Sequence, residues 1–501
     1  MACILLTLIA GAVILLCLYL YLTYTYWKRN GIPTAKGFYP LVGHLLPVIK
    51  FKEGFSHVVQ KVYRDFEHSS MVGIYKGLRP ALIIREPHLV KTVLHTNFSS
   101  FQENGSKIEK DVDTLLANNP FFTEGEEWAT GRKRLTYAFT SSRLKSLFLT
   151  VNGVCKKLQN FLDRRLSSDN KYEVEMQYLF SKFTGEVVAN AGLGIEGRCF
   201  ENDDDPTAFD KIGQSLVNPT LFEKVLQQFM FLFPDFNRLA KIGMVSKEMD
   251  QMFRKIVTEN FVVRQKEGTP RNDFLQLMMD LEKTEEKLDF EAVATHAFSF
   301  YADGFITSSI TLSYIGYELA LHQDVQQKLR EEVMSVIQKY GNELTYEGLK
   351  EMTYMEQVIS ESQRCNPVLG AMVKVCTEAF TLEGSDGLKC RVKPGTLIVV
   401  PVSGLQHDPK YWPDPDTFDP DRFNEDRKGS IEKYTFLPFG EGPRMCVGMR
   451  IAMTQMKACL ATLMKNYKLE LSPKTQIPLK TTSILMLTSP VDNVWVNISK
   501  I

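Results

Sequence analysis

The first segment of the chain is apolar and long enough to cross a membrane. Residues 3–27 are apolar or aromatic apart from a few threonines, and none of them is charged. At about 1.5 Å per residue, a helix of this length spans a bilayer core of roughly 30 Å. Tyrosine and tryptophan side chains gather at its end, and Lys28, Arg29 and Lys36 follow. The pattern favours an uncleaved membrane anchor, with the chain beyond it in the cytosol, over a cleaved signal peptide.

A turn-rich stretch separates this anchor from the rest of the chain. Residues 28–45 combine basic side chains with three glycines and two prolines. Glycine and proline are the strongest local signals for turns, so the stretch predicts a stiff linker. We divide the chain into a membrane anchor at 1–27, a basic hinge with glycines and prolines at 28–45, and a single large domain at 46–501.

Helical periodicity dominates the large domain. Amphipathic or continuously apolar runs of helical length lie at 54–66, 290–322, 322–340 and 450–465. Two apolar runs, 71–75 and 81–84, predict a hairpin, and the tail from Lys468 alternates apolar and polar residues as strands do. The run at 290–322 is the longest, and polar residues interrupt it at its centre.

Composition narrows the function only slightly. Hydrophobic residues make up 44% of the 501 positions, which is enough for a large core, and Lys plus Arg equals Asp plus Glu at 59 each. A balanced charge gives no indication of nucleic acid binding. The nine cysteines are odd in number, and no pair has the close spacing of a zinc site. Free thiols in a reducing compartment are the simplest interpretation.

One glycine motif is typical of a nucleotide site but stands in the wrong context. Gly192, Gly194 and Gly197 spell G-x-G-x-x-G, and a dinucleotide site needs that motif after a strand and at the start of a helix. Here it follows a helix-like run at 178–191 and leads into an acidic stretch at 201–205. We predict that these glycines end a helix instead.

A single thiol in a glycine-rich loop is the strongest chemical signal of the sequence. Residues 436–452 read FLPFGEGPRMCVGMRIA, so Cys446 stands just before a helix-like run. A metal binds the thiolate form, and backbone N–H groups at the start of a helix favour that negative charge. Gly442 and Gly448 allow a tight turn and a close approach to a flat macrocycle. We interpret Cys446 as the thiolate ligand of a heme iron, although most lone cysteines are small core residues.

Arg444 and Phe439 complete the pattern around this thiol. Arg444 can pair with a heme propionate through a charge-assisted hydrogen bond, and Phe439 can shield the sulfur from water. The set Phe439, Gly442, Arg444, Cys446 and Gly448 resembles the heme-binding signature of the cytochromes P450, the heme-thiolate monooxygenases. The resemblance implies heme b, iron-protoporphyrin IX with a cysteine thiolate ligand. It also implies a mainly α fold with small β-sheets, in which one large catalytic domain follows an N-terminal transmembrane anchor.

The resemblance extends to other residues that would hold the heme. Trp128 and Arg132 are four positions apart, so one helix face presents an indole N–H and a guanidinium, as an ordinary surface helix also can. The family uses such a pair to bind a heme propionate, and the resemblance gives that role to Trp128 and Arg132. Lys374 stands where relatives often have an arginine for the second propionate. It keeps the charge but loses the bidentate fork.

The polar interruption in the run at 290–322 matches a catalytic pattern in part. Buried polar groups are costly unless they form bonds, so a polar cluster inside an apolar helix suggests function. The family's central helix carries Ala/Gly-Gly-x-Asp/Glu-Thr, whose threonine helps to deliver protons, and Gly304 and Thr307 match it. Ile306 replaces the acid, while Asp303 lies one helical turn before Thr307. We take Thr307 and Asp303 as the catalytic candidates.

Two further sets of residues follow from the resemblance. In the family, a glutamate is buried between two arginines, which here implies a structural cluster of Glu361, Arg364 and Arg422. A buried carboxylate is tolerated only when it is fully paired, so this cluster would lock the core near the heme. The substrate-pocket residues implied by analogy are Phe121, Phe298, Ala302, Leu369 and Ile484.

The segments PFGEGPR, HDPKYWPDP and TQIPLK are most similar to the microsomal drug- and toxin-oxidising group, which includes vertebrate family 3 enzymes and their insect relatives. The resemblance implies NADPH- and dioxygen-dependent hydroxylation of lipophilic molecules such as xenobiotics, insecticides, hormones or other endogenous lipids. No flavin or nicotinamide motif is visible, so electrons would come from a separate NADPH–cytochrome P450 reductase, with cytochrome b5 as a second donor. The implied location is the endoplasmic reticulum membrane, with the catalytic domain facing the cytosol.

Two other functions stay open at this point. A heme-thiolate isomerase or peroxygenase needs no reductase and no proton relay for dioxygen, which suits the altered arrangement at Asp303 and Ile306. The retained Thr307 argues against it. A non-catalytic heme or ligand carrier in the membrane is the third hypothesis, and the retention of the whole heme constellation argues against that one.

Overall fold

Helices make up most of the protein in this computed structural model. The structure describes residues 2–106, 108–167, 170–217, 220–233, 243–267, 271–282, 290–484 and 487–501. The helices are α1 (Ala2–Tyr24), α2 (Tyr26–Arg29), α3 (Leu46–Ile49), α4 (Phe55–Asp65), α5 (Pro87–Lys91), α6 (Thr114–Ala117), α7 (Gly125–Ala138), α8 (Ser141–Leu166), α9 (Met176–Val187), α10 (Phe209–Val217), α11 (Leu221–Leu232), α12 (Lys247–Glu267), α13 (Phe274–Glu282), α14 (Phe290–Leu321), α15 (Gln323–Lys339), α16 (Tyr346–Glu351), α17 (Thr353–Cys365), α18 (Val402–Gln406) and α19 (Met449–Asn466). The strands are β1 (Met71–Lys76), β2 (Arg79–Ile84), β3 (Glu103–Asn104), β4 (Tyr172–Glu175), β5 (Met372–Val375), β6 (Phe380–Glu383), β7 (Lys389–Val392), β8 (Leu397–Val400), β9 (Tyr467–Leu471), β10 (Thr481–Ile484), β11 (Leu487–Pro490) and β12 (Trp495–Lys500).

Helix α1 stands apart from the packed body of the protein. Its side chains are apolar on every face, and most of them are exposed. Within the described residues, Cys3–Tyr24 is the one helix that is long and apolar enough to cross a membrane, with a mean hydropathy of 2.8. A wholly apolar helix that buries none of this surface in the protein fits the predicted anchor.

The residues after α1 pack directly against the first sheet. Trp27 in α2 is fully buried, and its indole Nε1 donates to the backbone oxygen of Ile74 in β1 at 2.9 Å. Farther along, Ala35 N donates to Gly73 O at 3.0 Å, and Gly73 N donates to Pro33 O at 2.8 Å. The hinge is therefore hydrogen-bonded to the large domain, and the domain limits at 27 and 45 remain predictions.

Helix α14 runs through the centre of the body. Its 32 residues carry apolar side chains on all sides, which is the pattern of a fully buried helix. It packs against α9, and α8, α9 and α19 contribute to the same hydrophobic core. Each large apolar side chain buried in this core contributes about 1.5–3 kcal/mol to the free energy of folding. The helix is thus a rigid platform for any polar residue that it carries.

The sheets are small and lie at the edges of the helical body. The largest has the strand order β1-β2-β8-β5-β3, in which β2 and β8 are parallel and the other pairs are antiparallel. A second sheet has the order β4-β12-β9, and β6–β7 and β10–β11 form two hairpins. The hairpin predicted from the apolar runs is β1–β2, and the alternating tail forms β9 to β12. The predicted mainly α fold with small β-sheets is confirmed.

The glycine motif at 192–197 ends a helix, as predicted. Val188–Leu193 is a π-helical turn that continues α9, and Gly194 caps it with a φ of +65°. Gly194 N donates back to Asn190 O at 3.0 Å. Because the motif does not open a helix after a strand, it does not form a dinucleotide site.

Candidate functional site

The loop before α19 turns sharply at two glycines. Gly440 and Gly442 adopt left-handed backbone conformations with φ of +69° and +74°. A Cβ atom on Gly442 would come 1.9 Å from the backbone oxygen of Leu94, so only glycine fits there. The turn brings Cys446 N to Phe439 O at 2.8 Å, which places Phe439 directly behind the thiol residue.

The Cys446 thiol lies at the N-terminal end of α19. Gly448 is the N-cap residue with a φ of −85°, and a Cβ atom there would meet nothing nearer than 3.9 Å. The tight turn predicted for both glycines is therefore needed at Gly442 and not at Gly448. Cys446 is solvent-accessible, yet the surrounding protein still raises the pKa of its thiol. The N–H groups of Gly448 and Met449 offset this only in part. The positive charge of Arg132 also lowers the pKa of the thiol, and a bound metal would favour the thiolate further.

Backbone carbonyls in the segment just before α7 hold Arg444 in place. Its guanidinium donates to Pro120 O at 2.9 Å and to Thr123 O at 2.8 Å, and it stacks 4.6 Å from the centre of the Trp128 ring. Its Nε is buried and has no hydrogen-bond partner among the residues that the structure describes. Burial lowers the pKa of Arg444 to about 10, and a negatively charged group beside it would reverse that shift.

Trp128 and Arg132 of α7 both lie against the cysteine loop. The Arg132 guanidinium donates to Met445 O, the residue before Cys446. Burial lowers the pKa of Arg132, and the negative charge of a Cys446 thiolate opposes that shift. The structure thus brings the predicted pair to the loop by two contacts: Trp128 stacks on Arg444, and Arg132 lies beside the thiol.

Lys374 in β5 is the third cation of this group. Its Nζ donates to Asn104 Oδ1 at 2.8 Å, and burial together with the charge of Arg444 lowers its pKa to about 7. In the described part of the chain, Arg132, Lys374 and Arg444 bond to carbonyl oxygens and form no ion pair. Partly buried cations without an acidic partner are costly. The residues present therefore fit a ligand with carboxylates, such as the two propionates of heme.

Asp303 and Thr307 interrupt the buried surface of α14. Both are accessible, whereas Ala302 and Ser308 next to them are buried, so the two polar residues face a space inside the protein. Thr307 Oγ1 donates to the backbone oxygen of Asp303 at 2.7 Å. The charge of Asp303 raises the pKa of the Cys446 thiol, so the carboxylate and the sulfur are close enough to interact.

Asn119 is a site residue that the sequence analysis missed. Its buried side chain donates from Nδ2 to Asp303 Oδ2 at 3.0 Å, and its Oδ1 accepts from Phe121 N at 2.8 Å. Although Asp303 is accessible from this space, the protein around it removes its carboxylate from bulk water and raises its pKa to about 6, and the bond from Asn119 offsets this only in part. The run Asn118-Asn119-Pro120 indicates a turn, but no local signal could have shown its partner on α14.

Glu361, Arg364 and Arg422 come together in one buried cluster. Arg364 donates to both carboxylate oxygens of Glu361 at 2.8 Å, and Arg422 Nε donates to one of them at 3.3 Å. Asp419 N donates to the same oxygen at 3.0 Å, and Arg364 also donates to Gln406 O at 2.9 Å. Because every oxygen of the buried carboxylate is paired, the cluster can join α17 to the segment that leads to the cysteine loop.

Three of the predicted pocket residues lie on or near α14. Phe121 is 38% exposed, and Ala302 precedes Asp303 in the chain. Phe298 is fully buried instead, with its ring centre 5.0 Å from that of Phe253. Its ring packs in the aromatic core because Phe298 lies on a different face of α14 from Asp303, and a pocket position for Phe298 is not supported.

The other two predicted pocket residues lie at the β10–β11 hairpin. Leu369 forms an isolated bridge with Leu487 of β11. Ile484 pairs with the same residue across the hairpin, but its side chain lies outside the described residues. The backbone of both predicted residues therefore converges on Leu487.

Glu318 ties the end of α14 to the segment that carries Leu369. Its Oε1 accepts from Asn366 Nδ2 at 2.8 Å, and Thr488 N donates to Val368 O at 2.7 Å in the same segment. Burial raises the pKa of Glu318 to about 7. The sequence analysis missed this contact too, because a single glutamate near the end of an apolar helix gives no signal of a tertiary partner.

Comparisons with known proteins agree with this geometry. A family model described as Cytochrome P450 matches residues 33–495. Probable cytochrome P450 6a13 of Drosophila melanogaster is 32% identical over 474 residues, which cover 94% of each chain. Cytochrome P450 6j1 of Blattella germanica is 30% identical over 488 residues, or 97% of this chain and 96% of that relative. Cytochrome P450 6a2 of Drosophila melanogaster is 30% identical over 495 residues, with 95% and 96% covered.

Proposed function

The chain belongs to the cytochrome P450 family, and we propose that it is a membrane-bound monooxygenase that hydroxylates lipophilic small molecules with NADPH and dioxygen. Proteins of this family are heme-thiolate monooxygenases and bind heme with a cysteine thiolate as axial ligand. One observation carries the proposal for this chain. The accessible thiol of Cys446 lies at the start of α19, within electrostatic reach of Asp303 on α14, with three cations grouped around the loop.

We assign the axial thiolate to Cys446 and the propionates to the cations around it. Arg132, Lys374 and Arg444 supply positive charge and form no ion pair within the described residues, although Glu124 and Glu103 act on Arg444 from a distance, and the Trp128 ring keeps the Arg444 guanidinium in place. Bound heme supplies the activation of dioxygen, which the thiolate favours by donating electron density to the iron. The backbone N–H groups of Gly448 and Met449 stabilise negative charge on the sulfur, and Phe439 shields it from water.

We assign proton handling to Asp303 and Thr307. A carboxyl group with a pKa of about 6 changes its protonation state near neutral pH, so Asp303 can take up and release a proton. Asn119 orients this carboxylate, and the Thr307 hydroxyl donates to the Asp303 backbone, which leaves its oxygen free to accept a hydrogen bond. Asp303 then fills the acidic role that Ile306 cannot.

A lipophilic substrate is supported by the apolar residues around this space. Phe121, Ala302 and Leu369 offer apolar surface, and such surface binds ligands mainly because both are removed from water. Helix α1 would place the protein at a membrane, where lipophilic molecules concentrate. We propose xenobiotics, insecticides, hormones or endogenous lipids as substrates, and the endoplasmic reticulum with a cytosolic catalytic domain as the location, because Lys28 and Arg29 follow the anchor.

Family membership implies an electron-transfer partner, and we propose that it is NADPH–cytochrome P450 reductase, with cytochrome b5 as a second donor. The glycine motif at 192–197 ends a helix and so offers no nicotinamide site at that position. We propose that this partner delivers two electrons per turnover, while the protein supplies proton handling and exclusion of water.

A reductase-independent isomerase or peroxygenase is the second candidate, and one observation favours it. Ile306 replaces the acid that the family pattern has before the threonine, and its side chain packs against the hydrophobic core. An enzyme that does not activate dioxygen needs no acid there. A non-catalytic heme carrier has no such observation in its favour.

Turnover with two oxidants separates these functions. The purified, heme-loaded protein is incubated with 7-ethoxycoumarin as a lipophilic probe, either with NADPH and reductase or with hydrogen peroxide alone. The proposed monooxygenase forms product with NADPH and reductase and needs both. Product formation with peroxide alone, unchanged by reductase, would identify the peroxygenase.

A further inference from the structure

The N-terminal part of the chain carries positive charge without any acid. No aspartate or glutamate occurs before Glu53, whereas Lys28, Arg29, Lys36, Lys50 and Lys52 all do. The balanced charge of the whole chain therefore hides a basic segment that begins where α1 ends. Such a segment beside a membrane attracts anionic lipids.

The buried Trp27 side chain fixes the end of the anchor to the body of the protein. The Trp27 ring lies so close to β1 that a Cβ atom on Gly73 would come 2.2 Å from it, and the indole donates to Ile74 O at 2.9 Å. The hinge is fixed to the same residue through the two backbone bonds between Gly73 and residues 33 and 35. The end of the anchor and the hinge are therefore held in one arrangement relative to each other.

A wide cavity of about 750 Å³, open to solvent and lined in part by exposed residues, lies between the end of the anchor and the hinge. We call it the junction cavity; its lining includes Tyr24, Lys28, Pro33, Thr34, Lys36 and Phe38. The rings of Tyr24 and Phe38 stack with 4.8 Å between their centres, which gives the cavity an apolar side. Lys28 and Lys36 give it a cationic side, and neither forms an ion pair within the described chain. A volume of this size lies within the range of small-molecule sites.

The depth of the junction cavity follows from the length of the anchor. The apolar span ends at Tyr24, so a helix of roughly 33 Å crosses the hydrocarbon core and Lys28 begins the next turn. The cationic side of the cavity then lies at the level of the lipid headgroups, and the apolar side faces the upper acyl chains. Phosphate is a strong acceptor for a lysine ammonium, which binds it as a point charge.

We propose that the junction cavity binds the headgroup of an anionic glycerophospholipid, an inference that rests on the proposed membrane-bound function. Lys28 and Lys36 contact the phosphate and the headgroup carboxylate or phosphate, and Tyr24 and Phe38 contact the start of the acyl chains. Phosphatidylserine and phosphatidylinositol have this chemistry, whereas phosphatidylcholine carries no net charge. The bound lipid would join the anchor, the hinge and β1 and so fix the orientation of the catalytic domain on the membrane.

A charge-matched pair of variants tests the proposal. Lys28→Gln/Lys36→Gln removes two charges from the junction cavity, and Lys50→Gln/Lys52→Gln removes two from the same acid-free segment outside its lining. The full-length, heme-loaded protein is placed in nanodiscs of phosphatidylcholine with added phosphatidylserine, and the lipid retained after release into detergent is identified by native mass spectrometry. We expect phosphatidylserine to be enriched on the wild type and on Lys50→Gln/Lys52→Gln, with about tenfold weaker enrichment on Lys28→Gln/Lys36→Gln.

Three results would overturn this assignment. Equal losses in the two double variants would mean that charge acts diffusely and that the cavity is not a site. No enrichment on the wild type would exclude a lipid, and displacement by millimolar inorganic phosphate would assign the cavity to free phosphate. The carbon monoxide spectrum is recorded for each variant, because an unchanged spectrum shows that any change in lipid binding is independent of the heme site.

Discussion

Asp303 is a carboxylate at the centre of a largely buried helix, and a single amide holds it. Burial makes its ionised form costly, which is why its pKa rises to about 6, and Asn119 compensates for part of that cost. A group in this state is poised to exchange protons near neutral pH. Asp303 could instead serve only to hold the loop that carries Asn119. A substitution that keeps the hydrogen bond from Asn119 but removes the exchangeable proton distinguishes these two roles.

Asp303→Asn should lower the coupling of NADPH consumption to product by about tenfold, because the amide cannot exchange a proton. Its oxygen can still accept from Asn119, so the loop stays in place. The measurement is the ratio of product formed to NADPH consumed, with peroxide release as the complementary quantity. Asp421→Asn, at an exposed ion pair with Lys328, serves as the control. Unchanged coupling in Asp303→Asn would remove Asp303 from the proton path.

The raised pKa of Glu318 predicts that the free energy of unfolding depends on pH. Burial raises its pKa from 4.5 to about 7 in the folded protein, so the folded state binds the proton more tightly than the unfolded state does. The free energy of unfolding is therefore highest below about pH 4.5 as far as this group is concerned, and it falls as pH rises to about 7. The full effect is at most about 3 kcal/mol.

Glu318→Gln should remove this dependence, because its amide oxygen still accepts from Asn366 but never ionises. We expect the variant to gain in melting temperature relative to the wild type as pH rises from 4.5 to 8, with little difference at the lower pH. Circular dichroism at both values checks it. His322→Gln is measured alongside, because His322 Nδ1 lies 3.5 Å from the same carboxylate. Parallel curves for wild type and Glu318→Gln would show that Glu318 does not titrate in this range.

At the scale of elements, the hydrophobic pattern was a good guide to helices and a poor guide to contacts between them. The buried helix α14, the β1–β2 hairpin and the C-terminal strands all follow from local periodicity, because each buries its own apolar residues. Asn119 and the link between Glu318 and Asn366 do not, because each joins segments that are far apart in sequence. The pocket position of Phe298 stays a prediction for a related reason: the pattern shows that α14 is apolar all round, but not which face meets the site, and the Phe298 ring packs beside Phe253.

The tight turn of the cysteine loop predicts that an alanine at Gly442 disturbs the loop. Gly442→Ala should prevent normal formation of the loop, because the new Cβ would overlap Leu94 O and the left-handed backbone costs about 1–3 kcal/mol for alanine. Gly153→Ala in α8 is the control, since its backbone is helical and no atom lies within 4 Å of its Cβ position. The readouts are the fraction of protein that holds heme and its melting temperature. Equal heme content in the two variants would contradict the role given to the Gly442 turn.

At the scale of the whole molecule, the sequence predicted the family and the apolar N-terminal helix because each is a local pattern, and the roles given to the residues of the cysteine loop stay predictions. It did not predict that the hinge joins the sheet. Trp27 looks like an interfacial residue in the sequence, and only the tertiary structure shows it buried against Gly73. Similarly, Arg132, Lys374 and Arg444 come from three distant segments, so it becomes visible only in the folded protein that they lie together and form no ion pair within the described residues.

Every role proposed for the site depends on Cys446 being the ligand of the heme iron. The reduced carbon monoxide complex tests this assignment most directly. The wild type should show the strongly red-shifted Soret band of a thiolate complex. Cys459→Ala, which removes a buried cysteine of α19, should keep that band. Cys446→Ser should lose that band. A red-shifted band that survives in Cys446→Ser would mean that another group binds the iron, and the site described here would then be wrong.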